Sequence, residues 1–203
     1  DRATFQPYNR DPDTLARPWA VPGTPGLEHR IGGLEKADIT GNVSYDPENH
    51  HRMTMLRAAK VAGISDDIPA LTVFGPEQGD VLVVGWGSTY GAIRSAVERL
   101  QAEGWAVSQA YLRHMNLMPD NTEAVLRNFK HVLVPEVNLG QLSMLLRANF
   151  LIDVKGLNKV RGKPYRIIEI KQAVEALLSG KPVEDVSFPA DHTPSPSAGG
   201  GLA

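Results

Sequence analysis

The sequence contains no cysteine. This absence excludes disulfide bridges, thiolate zinc sites and cysteine-ligated iron–sulfur clusters within the chain. Long apolar runs are missing as well, because no stretch approaches the roughly 20 residues that a membrane-spanning helix needs. The formal net charge of −2 gives no basic surface for nucleic acid or a membrane. No basic and then apolar leader opens the sequence, so we expect a cytoplasmic protein.

The remaining composition is that of a globular protein, with 42% apolar and 22% charged residues among 203. Residues 1–45 contain many prolines and glycines but no periodicity, which indicates a long irregular segment. The sequence begins at Asp1 rather than at methionine, as expected of a fragment or a processed subunit. Residues 183–203 are rich in proline, serine and glycine, and we expect them to form a flexible, solvated tail.

Alternating strands and helices are predicted along the rest of the chain. A helix is expected from Pro47 to Ala62, because Asp46 can cap it, Pro47 suits its first position and Gly63 can end it. Further strands are predicted near 71–74, 81–86, 105–112, 131–137 and 157–160, and further helices near 88–103, 120–129, 139–150 and 167–178. Two of these helices are predicted to have an apolar stripe, formed by Ile93, Ala96, Val97 and Leu100 and by Leu139, Leu142, Leu145 and Leu146. This alternation predicts an α/β fold, a parallel sheet covered by helices, after the irregular segment.

The stretch VLVVGWGSTYGAI has the strand–glycine–helix pattern of a nucleotide-binding turn. Gly85, Gly87 and Gly91 are spaced as GxGxxxG, however, which is one residue longer than the dinucleotide fingerprint. The acidic residue expected about 20 residues later is absent, and there is no GxxxxGK[ST] phosphate loop. We therefore interpret Gly85 and Gly87 as a tight structural turn, with Ser88 as a plausible helix cap. A bound anion at this helix start is the less favoured alternative.

Polar side chains elsewhere give no complete catalytic set and no metal cluster. Glu136 follows a predicted strand, where α/β folds place ligands, but capping of the next helix is the favoured interpretation. His29 and Arg30 are the best functional candidates of the irregular segment, since arginine binds carboxylates in a bidentate manner. A surface ion pair of Arg30 with Glu28 or Glu35 is the structural alternative.

Several phrases, in one order, resemble a known family. They are GLEHRIGGLEK, GNVSYDPENHHRM, GDVLVVGWGSTYGAIRSAVERL, MNLMPDNTEAVLRNFKHVLVPEVNLGQL and GKPYRIIEI. Together they are similar to the alpha subunit of 2-oxoglutarate:ferredoxin oxidoreductase, in the thiamine-dependent 2-oxoacid:ferredoxin oxidoreductase family. The resemblance covers roughly residues 8–180. The loop phrases and EVNLGQL are fairly specific, whereas GWGS alone is not.

The resemblance implies that the chain is the C-terminal part of that subunit. Residues 1–45 would then be the exit from a missing pyrimidine-binding thiamine domain, and residues 46–79 a helix and linker. Residues 80–182 would form a transketolase C-terminal-like domain, and 183–203 a tail. Such a piece would act as a structural or interface domain and be inactive alone.

The family's chemistry is the oxidative decarboxylation of 2-oxoglutarate to succinyl-CoA and CO2 with reduction of ferredoxin. The resemblance implies thiamine diphosphate, Mg²⁺, an iron–sulfur cluster and coenzyme A in the full complex, none bound mainly by this chain. The implied partners are the beta subunit, the rest of the alpha subunit and ferredoxin, in an alpha–beta heterodimer or its dimer. Arg17, His29 and Arg30 lie nearest the missing thiamine domain and are candidates for contacting a substrate carboxylate.

Three alternatives remain open at the level of sequence. The chain could be a purely structural assembly module, a subunit acting on pyruvate or a branched-chain 2-oxoacid, or a free-standing nucleotide-binding α/β module.

Overall fold

The computed structural model describes residues 3–183, which form two units divided between Ile68 and Pro69. This division falls inside the segment predicted to be helix and linker. The predicted tail, apart from its first residue Val183, lies outside the described residues.

The first unit consists mainly of loops, as predicted for its irregular segment. Of two isolated bridges, Tyr8 with Ile39 joins parts of the chain far apart in sequence, whereas Lys36 with Val43 closes a local loop. Other loops are held by side chains that bond to backbone; the Asn49 amide, for example, donates to the carbonyl of Lys36 at 2.9 Å. The unit is therefore fixed by hydrogen bonds rather than by regular strands.

Helix α1, Pro47–Ala62, has the predicted bounds and caps. The Asp46 side chain accepts a hydrogen bond from the Glu48 amide at 3.1 Å, and Pro47 occupies the first turn. Gly63 is the C-cap, but it keeps a right-handed conformation, and the chain continues into a 3-10 helix, Gly63–Asp67. Met53 is the buried residue of α1, so most of this helix's surface is not covered by the described part of the first unit.

In residues 69–183, the second unit is a five-stranded sheet with four α-helices. Its elements are β1 Val73–Phe74, β2 Gly79–Gly85, α2 Tyr90–Ala102, β3 Val107–Tyr111, α3 Thr122–Arg127, β4 Phe129–Glu136, α4 Gln141–Phe150, β5 Val154–Asn158 and α5 Ile167–Leu178. The strand order is β1-β3-β2-β4-β5. Strands β2 to β5 pair in parallel, whereas the two-residue β1 pairs antiparallel with β3. The predicted α/β sheet is confirmed, including a short strand within the predicted 71–74, although its antiparallel direction was not predicted.

Helices cover both faces of this sheet. Val81 and Val83 of β2 pack with α2 and α5, whereas Leu82 and Val84 face the opposite core, to which α3 and α4 contribute. Successive strand residues point to opposite faces, so a continuous apolar run such as VLVV fits a strand that is buried on both sides. The expected apolar face of α2 is confirmed, since all four residues of its predicted stripe are buried.

The predicted leucine stripe of α4 is only partly correct. Leu142 and Leu146 are buried, but Leu139 precedes the helix and Leu145 is exposed. Ser143 is buried instead, because its hydroxyl and amide bind the Glu136 carboxylate. A polar side chain therefore replaces an apolar one at this buried position of the helix.

Candidate functional site

The strand-end turn after β2 needs glycine at both predicted positions, for different physical reasons. A Cβ atom on Gly85 would lie 2.5 Å from the Ile93 Cδ1 atom and 3.0 Å from the Thr89 hydroxyl oxygen. Helix α2 therefore packs directly against the backbone of Gly85. Gly87 has a φ of +55°, and nothing lies within 4 Å of the position of its Cβ, so backbone conformation rather than space favours glycine there.

The side chain that closes this turn is Thr89, not Ser88. The Thr89 hydroxyl accepts a hydrogen bond from the Trp86 amide at 3.1 Å and donates to the Trp86 carbonyl at 2.8 Å. Ser88 is exposed and provides no cap, so the cap expected from sequence was assigned to the wrong residue. A short 3-10 turn, Gly87–Thr89, precedes α2 and displaces the helix start from the first glycine. The Trp86 backbone and the Thr89 amide are thus bonded within the turn itself, as expected of a tight structural turn.

A second group at the carboxyl ends of the strands is centred on Glu136, the last residue of β4. Its side chain is fully buried, and its two carboxylate oxygens accept hydrogen bonds from the amides of Leu142 and Ser143 and from the Ser143 hydroxyl, at 2.8 to 2.9 Å. These donors lie in the first turn of α4, where backbone amides lack helical partners and favour a negative charge. Of the two interpretations of Glu136, the structure supports helix capping.

The three candidates of the irregular segment do not form one cluster. The guanidinium carbon of Arg17 lies 4.3 Å from the centre of the Tyr8 ring. The Nδ1 atom of His29 donates to the Leu27 carbonyl at 2.9 Å, and its ring lies beside Phe5, whereas Arg30 is exposed. No hydrogen bond, ion pair or ring contact joins any two of these three side chains within residues 3–183.

Arg17 lies instead in a cleft of about 420 Å³ in the first unit. We call it the cationic cleft; it is lined by Tyr8, Arg10, Leu15, Arg17, Gly32, Gly33, Leu34, Glu35, Lys36, Arg57 and Lys60. Five of these residues are basic and one is acidic. Sequence reasoning identified only Arg17, because the other four basic residues are spread over 50 positions and share no motif.

Two carboxylates offset part of this charge. Asp38 pairs with Arg10 at 3.3 Å and with Arg52 at 2.9 Å. Glu35 pairs with Arg57 at 3.3 Å and with His50 at 2.6 Å. Glu35, one of the two ion-pair partners considered for Arg30 from the sequence, is therefore paired with other residues. Hydrogen bonds from His50 and Arg57 outweigh the effect of desolvation and lower the pKa of Glu35.

The environment of Arg10 remains electropositive despite its partner. Burial lowers the pKa of Arg10, Asp38 opposes this effect, and the nearby cations Arg17 and Arg57 lower that pKa further. The pKa is lowered overall, so one carboxylate does not offset both burial and like charge. Arg10 is thus close to two further cations of the cleft as well as to its partner Asp38.

Neither a metal site nor a membrane span is found in the part of the chain that the structure describes. No group of three or more His, Asp or Glu residues there could hold a metal ion. No described helix is both long enough and apolar enough to cross a bilayer.

Comparison with known proteins finds clear relatives for most of the chain. The 2-oxoglutarate oxidoreductase subunit KorA of Mycobacterium tuberculosis is 48% identical over 181 residues, which are 89% of this chain and 27% of that relative. The subunit alpha of 2-oxoacid:ferredoxin oxidoreductase 2 of Aeropyrum pernix is 33% identical over 154 residues, which are 73% of this chain and 24% of that relative. No family model matches the chain.

A solved structure agrees with these sequence relatives. It is the 2-oxoglutarate:ferredoxin oxidoreductase of Magnetococcus marinus with 2-oxoglutarate, coenzyme A and succinyl-CoA bound. It is 35% identical to this chain with a TM-score of 0.78, covering 85% of this chain and 30% of that one. The chain is a relative of the alpha subunits of 2-oxoacid:ferredoxin oxidoreductases.

The resemblance expected from the sequence phrases is thereby confirmed, together with the predicted α/β fold, a mostly parallel sheet covered by helices. The chain spans about a quarter of the length of the curated relatives that it matches. Those relatives are described as subunits, which implies further polypeptides in their enzymes.

Proposed function

We propose that this chain is the C-terminal part of the alpha subunit of a 2-oxoglutarate:ferredoxin oxidoreductase. The complete enzyme would convert 2-oxoglutarate and coenzyme A to succinyl-CoA and CO2, and pass the two released electrons to ferredoxin. The observation that carries this proposal is the 48% identity to a 2-oxoglutarate oxidoreductase subunit across 181 residues. The bound 2-oxoglutarate, coenzyme A and succinyl-CoA of the Magnetococcus marinus enzyme support the choice of substrate.

The proposed reaction requires groups that this chain is not equipped to hold by itself. Thiamine diphosphate with Mg²⁺ would supply the carbanion chemistry of decarboxylation, and an iron–sulfur cluster would carry the electrons. The sequence offers no cysteine for a cluster, and the described residues offer no group of three metal-ligating side chains. We therefore assign these groups to other parts of the complex and derive no catalytic step from this chain.

The role left to this chain is structural, as a contact surface for the remaining polypeptides. Three large apolar side chains of the first unit, Trp19, Ile31 and Tyr45, are each more than 80% exposed. In the second unit, Met144 and Leu145 on α4 are exposed as well. These exposed side chains are the apolar surface that we propose other polypeptides cover, since a contiguous apolar patch is typical of a protein interface. The expected partners are the rest of the alpha subunit, the beta subunit and ferredoxin.

Oxoacid preference tests the proposed activity directly. The complex that contains this chain should reduce ferredoxin with 2-oxoglutarate and coenzyme A at a higher kcat/KM than with pyruvate or a branched-chain 2-oxoacid. Purification should yield a second subunit that carries thiamine diphosphate and a cluster. A preference for pyruvate would overturn the substrate, and a chain that purifies alone and is stabilised by NAD or ATP would favour a nucleotide-binding module.

Arg17, His29 and Arg30 are proposed to contact a carboxylate of the substrate. Each is changed to alanine in the complete complex, with Arg161→Ala as a control, since Arg161 is an exposed arginine of the other unit. Loss of a charged hydrogen bond costs about 1.5–3 kcal/mol, so the KM for 2-oxoglutarate should rise about tenfold or more. An unchanged KM removes that residue from the proposal.

A further inference from the structure

The cationic cleft contains more positive charge than its carboxylates offset. Glu35 and Asp38 pair with Arg57 and Arg10, respectively. Among the described residues, no carboxylate lies within ion-pair distance of the other three cations of the cleft, which are Arg17, Lys36 and Lys60. Unpaired like charges destabilise a fold unless a counter-charge is bound, because each raises the electrostatic free energy of the others.

Lys36 distinguishes this cleft from a chance group of surface lysines. The residue is 3% exposed, and its ammonium group donates to the carbonyl of Gly32 at 2.6 Å and to that of Leu34. An ammonium group has three donors, so one remains after these two bonds. A buried lysine is costly unless its charge is paired. No negative group of the described chain pairs with it.

Two arginines of the cleft, the exposed Arg17 and the largely buried Arg10, are each positioned by a neighbouring side chain. Arg17 stacks on the ring of Tyr8, and the Arg10 side chain is 9% exposed and bonded to Asp38. A fixed guanidinium loses less conformational entropy when it binds an anion, and its planar donors match phosphate oxygens. The cleft thus combines two positioned guanidinium groups, a buried ammonium and a space of about 420 Å³.

We propose that the cationic cleft binds a phosphate-bearing ligand, either a free phosphate species or the phosphate groups of a nucleotide-like molecule. A phosphate carries about −1.5 to −2 charges near neutral pH and three acceptor oxygens, which suits three unpaired cations better than a single carboxylate does. The proposal does not depend on the proposed enzymatic activity, because it concerns only binding by residues of this chain.

Titration of the intact protein with inorganic phosphate, pyrophosphate and ADP tests the site. Isothermal titration calorimetry is performed at constant ionic strength adjusted with NaCl, since salt screens exposed charges. Pyrophosphate is expected to bind in a saturable manner with a Kd of about 1 mM or tighter. Tighter binding of ADP would identify a nucleotide-like source, and equal binding of phosphate and pyrophosphate would identify a single phosphate group.

Charge-removing variants locate the binding in this cleft. Arg17→Gln and Lys60→Gln should each weaken pyrophosphate binding about tenfold, the loss expected for one charged hydrogen bond. Lys163→Gln, at an exposed lysine of the second unit, removes the same charge and should leave the Kd unchanged. Lys36→Gln should abolish binding if the variant retains the native circular dichroism spectrum.

Three results would overturn the proposal. They are the absence of saturable binding up to about 20 mM pyrophosphate, an unchanged Kd in both Arg17→Gln and Lys60→Gln, and succinate binding as tightly as pyrophosphate. The last result would assign the cleft to dicarboxylates. Because the readout is a Kd rather than turnover, its failure is distinguishable from failure of the proposed reaction.

Discussion

Replacement of Glu136 by alanine is the sharpest test of how the strand ends are held. The change removes the acceptor of three hydrogen bonds, from the Leu142 amide, the Ser143 amide and the Ser143 hydroxyl. All three donors belong to the buried start of α4, and Glu136 itself is fully buried. Loss of a helix cap costs about 0.5–2 kcal/mol. A buried donor left without a partner costs about 1–3 kcal/mol. Since these two effects overlap, we expect Glu136→Ala to lower the free energy of unfolding by about 3–4 kcal/mol.

Two further variants separate the capping bonds from the loss of a charge. Ser143→Ala removes only the hydroxyl donor and should lower the free energy of unfolding by about 1 kcal/mol. Combined with Glu136→Ala, it should cost less than the sum of the two single changes, because the hydroxyl has already lost its acceptor. Glu123→Ala removes an exposed carboxylate that pairs with Arg127 on α3 and should change stability by less than about 0.5 kcal/mol.

Urea denaturation of the chain, followed by far-ultraviolet circular dichroism and by tryptophan fluorescence, measures these changes. Trp86 and Trp105 lie in the second unit, whereas Trp19 is 95% exposed in the first, so the fluorescence change reports mainly on the sheet domain. A Glu136→Ala variant within about 0.5 kcal/mol of the parent would refute the assignment of this carboxylate as the cap of α4.

Further predictions concern the glycines of the turn and a buried ion pair. Gly91→Ala should stabilise the chain by about 0.5–1 kcal/mol in urea denaturation, since Gly91 lies in α2 and nothing lies within 4 Å of its Cβ position. In the same assay, Gly85→Ala should destabilise the chain by about 1–3 kcal/mol, because the added methyl group would overpack against α2. Lys159→Met should lower the free energy of unfolding by about 1–3 kcal/mol in the same assay, because it removes one of the two cations that pair with the Glu169 carboxylate, while Arg166 at 3.1 Å remains. Burial raises the pKa of Glu169, but hydrogen bonds from Lys159 and Arg166 outweigh burial and hold that pKa below its ordinary value of 4.5. The ionised Glu169 carboxylate therefore stabilises the fold above pH 4.5, and this contribution is lost as the pH falls below that value. Between about pH 5 and 3, the Glu169→Gln variant should consequently lose less stability than the parent protein.

The elements of the second unit could be predicted from the sequence because their apolar periodicity is strong. The stripe of Ile93, Ala96, Val97 and Leu100 predicted α2, and the continuous run VLVV predicted a strand covered on both sides. The antiparallel direction of β1 could not be predicted, since a two-residue strand has no pattern that distinguishes its orientation.

The cap of the strand-end turn illustrates a different limit. Ser88 and Thr89 are adjacent hydroxyl residues, and either can act as a cap on the basis of residue type. The inserted 3-10 turn decides between them by directing Thr89 back to the Trp86 backbone. Whether a helix begins with such a turn depends on its packing against Gly85, which the local sequence does not encode.

The cationic cleft was not predictable because its members come from separate loops and from α1. Lys36 occupies the middle of LEKAD, where its neighbours suggest a solvated charge. It is buried because the chain between Gly32 and Leu34 folds over its ammonium group and offers two carbonyls. Non-local loop closure of this kind leaves no periodic signal in the sequence.

Arg17 is the residue on which the substrate proposal and the cleft proposal make different predictions; where it belongs to the cleft, the substrate proposal rests on His29 and Arg30. If it contacts a substrate carboxylate together with His29 and Arg30, all three alanine variants should raise the KM for 2-oxoglutarate, and pyrophosphate binding should not change. If it belongs to a phosphate site with Lys36 and Lys60, only the cleft variants should weaken pyrophosphate binding, and those of His29 and Arg30 should not. The geometry favours the second pattern, since Arg17 stacks on Tyr8 in the cleft and contacts neither His29 nor Arg30 among the described residues. An equal rise of KM in all three variants, with an unchanged Kd for pyrophosphate, would reverse that choice.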